Sequence, residues 1–68
     1  MQTATLDADL LDQAQAFRQR ATSLRTQADA LDPLLASTYR RRASELELEA
    51  FVAELQSGIP YDRVHLPA

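Results

Sequence analysis

Cysteine, lysine and tryptophan are absent from this 68-residue chain, and glycine and histidine occur once each. Without cysteine there is no disulfide, and with one histidine there is no Cys/His cluster for a structural zinc. A single glycine leaves no material for a phosphate-cradling loop. Long apolar runs are missing too, so a bilayer-spanning segment is not expected. Met1 to Asp12 carries acids and no base, which is not the pattern of a signal or transit peptide. The expectation is a cytoplasmic protein. A chain of this size buries only about 60% of its unfolded surface and is marginal alone. Well-packed helices, self-association or both must therefore supply its stability.

Catalytic constellations are likewise missing. His65 is the only histidine, and it stands beside Leu66 and Pro67 in the C-terminal tail. It is expected to be exposed and without a positioned partner of the kind acid–base chemistry needs. Glu45, Glu47 and Glu49 alternate two apart, so on a helix they diverge rather than converge on a metal. The Glu-x-x-His motif of di-iron bundles does not occur. The reading is a non-enzyme, with no catalytic residue, metal or cofactor. A formal net charge of −3 disfavours a general nucleic-acid coat. All seven basic residues are arginine, as GC-rich coding in a bacterial or phage genome favours.

What the chain does have is a strict alternation of small and large apolar residues. Leu10, Ala14, Phe17, Ala21, Leu24, Ala28 and Leu31 follow at spacings of four and three, the seam of a helix packed on another helix. Thr5 is placed as the N-cap and the first helix is expected over 6–31, after a disordered stretch at 1–5. Asp32-Pro33 breaks it: proline disfavours helix in the preceding residue and suits the first position of a new one, with Asp32 as its cap. The second helix, expected over 33–57, carries Ala36, Tyr39, Ala43, Leu46, Ala50 and Ala53. Folded back antiparallel, Ala28 meets Ala36, Ala21 meets Ala43 and Ala14 meets Ala50. Between them Leu24 faces Tyr39, Phe17 faces Leu46 and Leu10 faces Ala53. One register holds through six layers. Ser57-Gly58 and Pro60 end the second helix, and residues 59–68 are expected as an extended tail. The fold class is all-α: an antiparallel two-helix hairpin (an alanine-rich coiled coil), expected to dimerise into a four-helix bundle.

Three surfaces are candidates for binding. Leu48, Phe51, Val52 and Leu55, continued by Ile59, give the second helix an apolar face away from the seam, expected to be covered by a second copy, by the tail, or by another protein. Arg25, Arg40, Arg41 and Arg42 gather near the turn and form a candidate anion or nucleic-acid contact. Three consecutive helical arginines fan too widely for one binding row, however, so a solvated, register-setting role is preferred. In that role Arg18 and Arg20 bridge to glutamates across the hairpin, and Arg41 lies near Glu45. In the tail, Tyr61, Val64 and Leu66 are candidate docking residues.

In helix number, helix length and alternating small/large core, the chain resembles Rop-type hairpins, with no alignable stretch of residues. That resemblance implies a pair of hairpins forming a four-helix bundle that can bind RNA. The residues themselves point first to a self-associating assembly or adaptor module with a homodimeric partner. A nucleic-acid-binding hairpin and a tail-docked subunit of a larger complex are the alternatives.

Overall fold

The computed structural model describes residues 7–66. These residues form two long helices, α1 (Ala8–Ala28) and α2 (Pro33–Ser57), followed by a single 3-10 turn at Tyr61–Arg63. The two helices pack against each other as a hairpin. Thr5, the proposed N-cap, lies outside the described residues, as does the stretch 1–5. Asp7 caps α1 instead: its backbone is extended, and its carboxylate accepts from the Leu10 N–H at 3.2 Å. Aspartate is at least as good a cap as threonine, which is why the helix starts there.

α1 stops at Ala28, three residues short of the expected Leu31. The chain then tightens into bonds from Ala30 N–H to Gln27 O and from Leu31 N–H to Ala28 O, both 3.1 Å. Pro33 is the cause. It holds Asp32 in an extended conformation (φ −63°, ψ 161°), so the backbone must leave the helical path before reaching it. Asp32 then caps α2, accepting from the Leu34 and Leu35 N–H groups at 3.0 and 3.1 Å. Gly58 closes α2 at φ 95°, a left-handed position that disfavours any residue with a Cβ.

The core is a column of methyl groups. Ala21, Ala43 and Leu46 form one buried cluster with Phe17 and Leu24 against it. Ala14, Ala50 and Ala53 form the next, with Leu10 and Phe17 against it. Phe17 bridges the two. Ala28 and Ala36 are buried as well and carry the seam toward the turn. Alanine at these positions lets the two backbones approach closely. The larger seam residues sit at its margins: Leu10, Phe17, Leu24, Leu31 and Tyr39 are only half-buried, while Leu46 is sealed. A pair of helices has one contact layer, so a bulky side chain has protein on one side and solvent on the other.

The tail is not extended throughout. Arg63 N–H donates to Pro60 O at 2.9 Å and Val64 N–H to Tyr61 O at 3.2 Å, which turns the chain back toward α2. Val64 is buried there. At the same end of the hairpin, the Asp7 N–H donates to Ser57 O at 2.9 Å and ties the start of α1 to the end of α2.

Candidate functional site

The two flanks of the alanine seam differ in chemistry. One flank is ionic. Arg18 and Arg25 each stand four positions after a seam alanine of α1, and Glu54 and Glu47 four positions after the facing alanines of α2. Arg18 Nη2 lies 2.6 Å from Glu54 Oε1, and Arg25 Nη2 lies 2.6 Å from Glu47 Oε1. Arg25 also reaches Ser44 Oγ at 3.4 Å. The two pairs repeat one heptad apart.

Glu54 is the unusual member, because it is only 4% exposed. Besides Arg18 it accepts from the His65 main-chain N–H at 2.8 Å, and its second oxygen is 3.0 Å from His65 Nδ1. Arg18 Nη2 is itself enclosed at this contact, away from solvent. Burial pushes the Glu54 carboxyl up, but the Arg18 guanidinium and the two His65 donors outweigh it and hold the carboxyl below the ordinary glutamate value. Next to it, the Ser57 hydroxyl, itself buried, donates to the Glu54 carbonyl at 2.6 Å. His65 therefore has a partner, contrary to the expectation from sequence. Its ring is 71% exposed, and only the edge carrying Nδ1 meets Glu54.

The other flank is apolar. A groove of about 310 Å³ runs between the helices, lined by Leu10 and Phe17 of α1 and by Leu48, Val52 and Ala53 of α2, with Gln13, Glu49 and Gln56 at its polar rim. Leu48, Val52 and Leu55 are 54%, 41% and 40% exposed. Phe51 and Ile59, grouped with them in the sequence, are half-buried. At about 100° per residue Phe51 falls between Glu47 and Leu55, so it belongs to the margin of the row rather than its crest. The tail does not cover this row: among its described apolar residues Val64 alone is buried, while Tyr61 and Leu66 are largely exposed.

The arginines near the turn are mostly engaged. Arg25 is held by Glu47, Arg40 contacts Asp29 at 3.2 Å, and Arg42 contacts Glu45 at 3.1 Å and Glu49 at 3.3 Å. Glu45 thus pairs with Arg42 and not with Arg41. Among the described residues Arg20 and Arg41 make no ion pair. Arg18 crosses the hairpin to a glutamate, Glu54.

Several residues of these faces were not singled out from sequence. From sequence, Glu54 is only one of the glutamates open to Arg18 or Arg20 across the hairpin. Its signal was there: carrying the alanine register four positions forward on both helices sets Arg18 against Glu54 and Arg25 against Glu47. The contribution of Leu10, Gln13 and Phe17 to a shared groove carried no such signal, since all three read as seam or solvent positions. Leu34 and Leu35, both exposed in the first turn of α2, were likewise not anticipated.

Among the described residues no group of three or more histidines, cysteines and acids is placed to hold a metal ion, and no helix is long and apolar enough to cross a membrane. No protein-family model, curated protein or solved structure matches the chain.

Proposed function

We propose that this chain is a non-enzymatic, self-associating hairpin that acts as an assembly or adaptor module, with a second copy of itself as first partner and a four-helix bundle as the product. The observation that carries the reading is the row Leu48, Val52 and Leu55, exposed on one face of α2 and continuous with the groove over Phe17 and Leu10. Spacings of four and three are those of a helix–helix seam, and this row lies away from the seam already used inside the hairpin. The half-buried state of Phe17 and Leu10 adds to the argument. A single contact layer leaves these side chains partly wet, and a second hairpin laid along α2 removes that surface from water on both copies. An isologous contact of this kind needs one self-complementary patch, which a row of aliphatic side chains provides.

The arginine cluster supports this reading over nucleic-acid binding. Carboxylates hold Arg25, Arg40 and Arg42, and phosphate would have to displace them.

Light scattering over a concentration series tests the proposal. The expected mass is twice that of the chain at high concentration, and Val52→Glu and Leu55→Glu each shift it toward the monomer. A monomer mass at every concentration overturns the proposal, as does an unchanged dimer in both variants.

A further inference from the structure

The outer face of α2 repeats with the same arithmetic as its inner one. Leu34, Arg41, Leu48 and Leu55 recur seven apart, and Thr38, Glu45 and Val52 fall four positions after the first three. Together they make a second unbroken series of four-and-three spacings, about 160° around the helix from the alanine seam. All seven side chains are exposed. Leu34, in the first turn, is 79% exposed, and nothing inside the hairpin accounts for an aliphatic side chain there. The aliphatic residues hold the two ends of this stripe, and Arg41 and Glu45 interrupt its middle. Glu45 touches Arg42 of its own helix at 3.1 Å, with both side chains about half exposed. Arg41 makes no ion pair among the described residues.

A base and an acid inside an apolar stripe discriminate between the ways of doubling it. In a parallel contact of two α2 helices each level meets its own copy, so Arg41 faces Arg41 and Glu45 faces Glu45. In an antiparallel contact whose two-fold axis passes the level of Ala43, Arg41 faces Glu45 of the second copy, and the pair occurs twice. The same register sets Leu34 against Val52 and Leu48 against Thr38, and it brings Leu55 to the level of Leu31 in the turn. Displaced by one heptad either way, Arg41 meets Val52 or Thr38 and Glu45 meets Leu48 or Leu34. Both charges then stand against neutral side chains.

We infer that the second copy lies antiparallel along α2, centred at Ala43, and that Arg41 and Glu45 specify its direction. The inference rests on the self-association reading and deepens it. Read outward from Ala43, the stripe has a base on one side where it has an acid on the other, and Leu34 where it has Val52. A surface that complements itself under a half-turn is what an isologous contact needs, and a different partner does not require it. Polar residues at seam positions fix orientation and register in this way, at some cost in stability.

The chain has no cysteine, so Gln56→Cys takes a single spin label at the end of α2, beside the stripe rather than within it. At about 1.5 Å per residue the antiparallel contact sets two such labels about 40 Å apart. A parallel contact sets them about 20 Å apart or less, little more than the spacing of packed helices. Double electron–electron resonance reads the separation, and about 40 Å is expected. Sedimentation equilibrium then compares Arg41→Glu, Glu45→Arg and the double variant with wild type. Each single reversal creates two like-charge pairs and is expected to raise the dimer dissociation constant about tenfold at low salt. The double variant restores opposite charges in the antiparallel contact and is expected within about threefold of wild type. A wild-type chain that stays monomeric overturns the inference together with self-association. A dimer with labels about 20 Å apart, single reversals without effect, or a double variant as weak as the singles overturns the inference alone and leaves self-association standing.

Discussion

Arg25 and Glu47 meet at 2.6 Å across the hairpin, and one heptad away Arg18 and Glu54 meet at the same distance. The repeat shows that charge and alanine obey one register. Sliding α2 by a heptad would keep methyl groups opposite methyl groups, but it would set Arg18 toward Glu47 and leave Glu54 buried beyond the last arginine of the row. The charges therefore select among registers that the alanines alone leave nearly equivalent.

A double-mutant cycle on Arg25 and Glu47 should return a coupling of about 0.5–1 kcal/mol, at the upper end for partly exposed pairs, and it should shrink as salt is raised. Chemical denaturation of the four proteins at low and high salt gives the number. A coupling indistinguishable from zero at low salt makes the pair incidental.

Ala21 and Ala43 are both fully buried and lie in one cluster, so there is no room between the helices for a longer side chain. Ala21→Leu should destabilise the fold by about 1–3 kcal/mol through overpacking. Leu46→Ala, which empties a large side chain sealed in the core, should cost about 2–5 kcal/mol. Thermal unfolding by circular dichroism measures both. A neutral Ala21→Leu would mean that the helices are not in close contact at this level.

Stability should fall in acid, and Glu54 should account for part of the fall. Its carboxyl is held below 4.5, the ordinary value that it recovers on unfolding. As the pH drops, the unfolded chain takes up that proton first, so the contribution is complete above about 4.5 and is lost as the pH passes down through the folded-state value. Urea unfolding between pH 7 and pH 2 should show a shallower decline for Glu54→Gln than for wild type. Parallel declines would remove Glu54 from the account.

Gly58 sits at φ 95° directly after α2. Gly58→Ala should cost about 1 kcal/mol, because a Cβ resists the left-handed conformation and nothing else in the turn compensates. It should also weaken the tail's docking, since the same residue redirects the chain toward Glu54. Proton NMR of His65 and a melting curve report the two effects separately. An unchanged melt would contradict the conformation at this position.

The hairpin is legible in the chain's local pattern. Spacings of four and three, the Asp32-Pro33 break and the opposed alanines give helix type, direction and register, because these depend on local periodicity and on one short-range turn. The choice of Asp7 as cap and the early end of α1 were harder to read, since several residues near each end satisfy the capping chemistry about equally well. The surroundings of Glu54, by contrast, arise from long-range packing. An acid on a helix reads as solvated until a second helix and a returning tail close over it, and that closure joins Arg18, Glu54 and His65 across 47 positions of chain. The same holds for the groove, whose walls come from both helices. Burial of a charge and concavity of a surface are properties of what surrounds a residue, and those neighbours exist only once the chain has folded.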